Sequence, residues 1–446
     1  MNNLLYGVLK KMKINKCANK EQIKTYEGGK ASKINALEEL HRSTMSCLLW
    51  ENEFYEDGES IATRITKLID KCVKQGLTNE VINVMLDAKA AKLRHCPLWM
   101  IAGIFKAGAK VDKETIAKIL TRPDDMGELI ALYMKDGKKP LPNAMKKGIA
   151  IAFAKFDEYQ LAKYNRQAVY KLVDIANLCH PKVTEAIDKL VKGTLETPKT
   201  WEVLLSAAGS DKEKKKDAWL NMLESKKLPS MAFLKNVRGI LECGINKSDV
   251  TKYLKDIKPG MLLPIDFIRA GQNCPEIKNE IEVKMFETFA GKDKVLGKTA
   301  LLVDVSGSMN DERLKYALAL AMIGREKYDD VNIYSFSDAI VRIPNRRGFA
   351  LGEAIDNSQI HWVTKMWNSI REVSSKNKFD RIIVITDEQT CDSYSSDIKL
   401  GDTQMYIINV ASYDKGVGYE HNIIHINGFS DKVFDAIDGF ENLSKK

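Results

Sequence analysis

The chain has 446 residues, 44% hydrophobic and 29% charged, with 69 Lys and Arg against 60 Asp and Glu and a net charge of +9. That length predicts two to three domains with ample core, and the composition excludes a disordered, fibrous or disulfide-stapled chain. No run approaches the roughly 18 consecutive apolar residues of a membrane span. The amino-terminal MNNLLYGVLKKMKINK carries no signal-peptide core or cleavage site. A cytoplasmic protein with no membrane association is the expectation.

Eight cysteines stand at 17, 47, 72, 96, 179, 243, 274 and 391, and no two form a C-x-x-C pair. A zinc ribbon or redox motif is therefore not expected, and reduced thiols are the simplest account. The charge is unevenly spread. From residue 296 onward there are 18 basic and 22 acidic residues; before it there are 51 and 38. A basic first region joined to a mildly acidic second one suits contact with a polyanion. A lysine-rich solvated surface accounts for the same numbers.

Between residues 30 and 289 the pattern is helical almost throughout. In PNAMKKGIAIAFAKF, Met145, Ile149, Phe153 and Phe156 make one apolar stripe, with Pro142 placed to start the helix. Gly76, Gly108, Gly193, Gly209 and Gly244 separate such segments. Short-linked helices with one apolar face each need neighbours, which favours a stacked, HEAT-like array over an isolated bundle. No strict sequence period is present. Trp201 and Trp219 fall on apolar stripes and are expected in the core, and Lys212–Lys216 reads as a solvated turn or helix end.

The texture changes near residues 291–297. Strands are expected at 299–304, 331–336, 381–386, 404–410 and 423–426, and helices at 312–328, 365–374 and 431–439. Alternating helices and buried strands predict a doubly wound, parallel α/β sheet, with ligands beyond the carboxyl ends of the strands. The expected division is 1–292 and 293–446. His421 and His425 are four apart on a strand, about 13 Å by the usual rise, and no third ligand supports a metal there.

One strand ends in LLVDVSGSM. Asp304, Ser306 and Ser308 are spaced i, i+2, i+4 on a tight loop, which can aim one carboxylate and two hydroxyls at a common point. Hard oxygen donors with few carboxylates suit Mg²⁺. Another strand, RIIVIT, ends in Asp387. A turn formed by Asp304 and the serines, with no metal, is the alternative. D-x-S-x-S after an apolar strand resembles the metal-ion-dependent adhesion site of a von Willebrand factor A domain. The resemblance implies direct ligation by Ser306, Ser308 and Thr364, water-mediated roles for Asp304 and Asp387, and a coordination position open to an acidic partner. The glycines that usually precede the loop threonine are missing before Thr364.

Strings in the first region resemble the TROVE domain of the Ro autoantigen family. They are LEELHRSTMSCLLWENEFYEDG (37–58), TRPDDMGELIALYM (121–134), KFDEYQLAKYNRQAVYKLVDIANLCHPK (155–182), TWEVLLSAAGS (200–210) and KLPSMAFLKNVRGI (227–240). The order, TROVE then A domain, matches as well. The resemblance implies a ring of α-helical HEAT-like repeats closed by the A domain, in the bacterial or phage branch of the family. It implies binding of small noncoding Y-like RNA outside the ring and of single-stranded ends of misfolded RNA in its hole, in RNA quality control or decay. Lys163, Tyr164, Arg166, Lys171, His180 and Lys182 are the implied RNA contacts. His180 could instead cap the preceding helix, and Tyr164 could be core.

No P-loop, dinucleotide fingerprint, H-E-x-x-H or G-x-S-x-G occurs. A monomeric, non-catalytic RNA-binding protein with a divalent cation is the expectation, and an exoribonuclease or acidic protein is the candidate partner at the metal site. The rival is a metal-dependent interaction scaffold that recruits an acidic protein. A metal-dependent nuclease or phosphatase ranks below both, because serine-rich ligation is poor for two-metal chemistry.

Overall fold

The computed structural model describes residues 23–444, except 33, 138, 227, 292, 311 and 420–422. The amino-terminal apolar patch, Cys17 and His421 lie outside the described residues. Among the described residues there are twenty α-helices, a two-stranded hairpin and a six-stranded sheet. None of these helices is long and apolar enough to cross a membrane.

By contact the chain forms two compact units. One comprises Leu48–Trp50 and Glu59–Gly209; the other holds the described residues of 23–47, 51–58 and 210–444. The division differs from the expected 1–292 and 293–446. The sheet does begin near there, at Val295, but earlier segments pack into the same core. Phe349, for example, seats its ring against Gly271, where a Cβ would collide with it.

The first unit is helical throughout. Its helices pack mainly on the next but one: His95–Lys106 on Pro123–Met134, and Lys113–Ile119 on Asn143–Phe153. That is the contact pattern of stacked repeats. The stripe Met145, Ile149 and Phe153 is buried as expected, and Pro142 is the N-cap. Gly148 lets this helix approach Ile116, whose Cβ would lie 2.6 Å from an added methyl group. The string TRPDDMGEL is a helix start. Pro123 opens the helix, and Asp125 accepts from the backbone N–H groups of Thr121 and Arg122 and from Arg94 Nε.

In the second unit β1 (Ile23–Lys24) and β2 (Lys30–Ala31) form the hairpin. The main sheet contains β3 (Val295–Asp304), β4 (Tyr328–Phe336), β5 (Ile340–Arg342), β6 (Arg381–Thr386), β7 (Gln404–Asn409) and β8 (Ile423–Asn427). Its order is β5-β4-β3-β6-β7-β8, parallel except for the antiparallel edge strand β5. Neither β5 nor the helix Gly348–Asp356 is expected from the sequence. Helix Met366–Lys376 places Met366, Trp367 and Ile370 in one apolar cluster with Ala300, Leu302 and Val384. Helices Glu312–Lys327 and Lys432–Ser444 share the other face, where Gly324 lies between Leu301 and Phe434. The sheet is thus doubly wound. From β3 the chain turns to β4 on one side, whereas β6, β7 and β8 continue on the other, so the β3 and β6 ends flank a switch point.

Candidate functional site

The carboxyl ends of β3 and β6 bring Asp304 and Asp387 to this switch point. Asp304, Ser306, Ser308, Thr364 and Asp387 are all buried. Ser306 and Ser308 Oγ lie 3.4 Å apart. The Thr364 loop is fastened to both strand ends: Gly307 N–H donates to Trp362 O (2.8 Å) and Cys391 N–H to Thr364 O (2.9 Å). The missing glycines therefore do not keep Thr364 away. Both Asp304 oxygens are engaged, Oδ1 by Ser306 N–H (2.9 Å) and Oδ2 by Thr386 Oγ1 (2.6 Å). By contrast, Thr364 Oγ1 and Asp387 Oδ2 are buried with no hydrogen-bond partner.

Burial pushes the Asp304 carboxyl up from its ordinary range, and the Asp387 charge adds to the rise. Burial also raises Asp387, against a lowering contribution from Ser308. Two adjacent buried carboxyls and two unpartnered buried oxygens are costly unless a positive charge compensates them. Among the described residues no three His, Cys, Asp or Glu side chains are grouped to hold a metal, so the donor set rests on hydroxyls. Such a set fits one hard cation such as Mg²⁺.

An unexpected element covers this end of the sheet. The β1–β2 hairpin docks on the loop after β6: Gly29 N–H and Thr25 Oγ1 donate to Thr390 O (3.1 and 2.7 Å), and Tyr26 N–H to Gln389 Oε1 (3.0 Å). Tyr26, Tyr55 and Tyr413 form an aromatic cluster beside it. Glu388, next to Asp387, has a left-handed φ of 63° and is wholly buried. It pairs with the buried Arg42 and accepts from or shares a proton with His425 Nδ1 at 2.8 Å. Burial alone would raise the Glu388 carboxyl, but Arg42 and His425 hold it below the usual range. His425 is thus a partner of a buried carboxylate.

The expected RNA contacts fall into two places in the first unit. Lys163 and Tyr164 end the helix Glu158–Tyr164, and exposed Arg166 follows, its Nε donating to Lys163 O at 3.3 Å. Tyr164 is half-buried beneath the Arg122 guanidinium, 4.7 Å from the ring centre. It is neither core nor an open stacking platform. Lys171 is the N-cap of the helix Leu172–Cys179, and His180 is its C-cap. The cap contact is made by the backbone, His180 N–H to Ala176 O at 2.9 Å, in a left-handed conformation with φ 49°. His180 also lines a cleft of about 420 Å³ with Lys113, Asn143, Lys146 and Lys147. Lys182 is exposed just beyond. Sequence reasoning missed Lys113, Lys146 and Lys147. A signal existed for two of them: Lys146 and Lys147 are adjacent on the polar side of the 145/149/153 stripe.

Residues 191–288 match the TROVE domain family. Among solved structures, that of the Deinococcus radiodurans RO (RSR) protein is similar over 89% of this chain and 97% of that one, with a TM-score of 0.57 and 15% identity. Residues 191–288 are thus similar to a TROVE domain, and the chain shares the fold of that Ro protein. No curated protein gave a match. At that identity the structural likeness establishes shared architecture, and the site residues rest on the geometry above.

Proposed function

We propose that this TROVE-domain chain is an RNA-binding protein of the Ro type that catalyses no reaction of its own. The observation that carries this is the cleft between helix ends 143–153 and 172–179. Lys113, Lys146, Lys147 and His180 converge there, and no acidic side chain lines it. Such a groove attracts phosphates with salt-dependent affinity, and a strained non-glycine residue at its edge is typical of functional positions. The RNA class is small noncoding Y-like RNA together with the single-stranded ends of misfolded RNA, retained for quality control or decay. Gel-shift titration with a structured RNA bearing a 3′ tail should show tight binding at low salt that weakens steeply as salt rises. Reversing the charges of Lys163 and Arg166 should weaken it further. No shift at low salt, or a salt-independent one, would remove this reading.

The second unit supplies a divalent cation site, with Mg²⁺ held by Ser306, Ser308 and Thr364 and supported by Asp304 and Asp387. A cation at 100 times its Kd should raise the unfolding free energy by about 2.7 kcal/mol. Denaturant titration with and without Mg²⁺ should show this gain in the wild type and lose it in Asp387→Ala. An equal gain in both would exclude Asp387. The rival scaffold reading draws on exposed Ile360 and Trp362, which flank this centre on the Thr364 loop. It predicts Mg²⁺-dependent protein capture that Asp304→Ala abolishes.

A further inference from the structure

The hairpin carries a carboxylate to the metal centre. Glu27 sits in the turn between β1 and β2. Its Oε2 accepts from Thr364 N–H at 3.1 Å, and its Oε1 from Tyr55 Oη at 3.1 Å. Its charge raises the Asp387 carboxyl, and Ser308 holds down the Tyr55 hydroxyl that burial pushes up. Glu27 therefore meets the Thr364 loop directly and is held there by Tyr55. The residue whose N–H it accepts, Thr364, and Asp387, which feels its charge, carry the two unpartnered buried oxygens, Thr364 Oγ1 and Asp387 Oδ2.

We propose that Glu27 is the chain's own acidic ligand for this centre, occupying the place that an external carboxylate would take. The inference rests on the reading that the centre binds a divalent cation. A first shell rich in neutral hydroxyls leaves a cation short of anionic donors, and a carboxylate is the ligand it attracts most. The hairpin fixes where that carboxylate comes from. Lys30 N–H donates to Ser393 Oγ (3.1 Å), adding to the bonds on Thr390 and Gln389. Gly29 packs so closely that a Cβ there would collide with the carbonyl oxygens of Thr390 and Asp392. A tethered ligand acts at an effective concentration in the millimolar range or above. An acidic partner must displace Glu27 to reach the cation, so the hairpin regulates access.

The test uses Mn²⁺ as the probe on the full chain, with free Mn²⁺ read by electron paramagnetic resonance and bound water by proton relaxation. Wild type should bind Mn²⁺, and Asp304→Ala should not. Glu27→Gln keeps the shape and the acceptor oxygen but removes the charge. It should weaken Mn²⁺ binding about tenfold, the range typical of removing a supporting group at a metal site, and raise relaxation as water enters. Acetate should then lower relaxation in Glu27→Gln at concentrations that leave wild type unchanged. Gly29→Val, which displaces the hairpin with Glu27 intact, should behave like Glu27→Gln. Mn²⁺ binding with identical relaxation and acetate response in wild type and Glu27→Gln would overturn the role of Glu27 and leave the metal centre standing. No Mn²⁺ binding by wild type would overturn both.

Discussion

Replacing Arg42 by alanine is expected to destabilise the second unit by about 3–5 kcal/mol, because it strips the partner from a buried charge. Arg42 and Glu388 are both fully buried. The guanidinium also donates to the carbonyl oxygens of Tyr413 (2.7 Å) and Lys415 (2.6 Å). Its loss would leave Glu388 with only His425, and the Tyr413 carbonyl without its side-chain donor, while Lys415 O would keep Gln389 Nε2 at 2.7 Å. A cavity would open as well, since Gly416 packs directly against the guanidinium. The exposed pair Lys74–Asp70, at 2.6 Å with both side chains solvated, provides the contrast. Lys74→Ala should cost about 0.5 kcal/mol or less. Urea titration of the two variants measures the difference. A loss below about 1 kcal/mol for Arg42→Ala would mean that this guanidinium does not clamp the loop after β6.

The second large effect is expected on RNA affinity. Lys146→Glu with Lys147→Glu reverses two of the three lysines in the basic cleft, where phosphates would gather. Binding to a tailed structured RNA should fall by roughly tenfold or more at about 0.1 M salt. The slope of log K against log salt should shrink by about 2, one for each phosphate that is no longer neutralised. Lys147 is exposed and Lys146 is half-buried on a helix whose other face holds the core, so folding should persist and circular dichroism should be unchanged. An unaltered slope would place the RNA elsewhere.

Much of the second unit was legible because its strands are short, apolar and followed by amphipathic helices. The strand expected at 381–386 is observed at Arg381–Thr386, and that expected at 404–410 at Gln404–Asn409. The β5 edge strand has three residues, too few for a period to register. Helix Gly348–Asp356 is short and follows an Asn-Arg-Arg turn that reads as loop. The D-x-S-x-S loop was legible because its donors are contiguous. Glu27 was not, since its hydrogen bond to Thr364 spans 337 positions. The same reason hid Lys113, which reaches Lys146 and Lys147 only when its helix packs on Asn143–Phe153. His180 was singled out by resemblance. That its backbone, not its ring, caps the helix is set by a left-handed φ which a histidine does not announce.

Whether RNA is held by the helical first unit can be read by ultraviolet crosslinking of the protein to RNA in its cells, followed by mapping of the crosslinked peptides. RNA is expected on peptides within residues 113–182, reduced by the Lys146→Glu and Lys147→Glu pair. Crosslinks confined to residues 295–444, or none above background, would contradict RNA binding at the basic cleft.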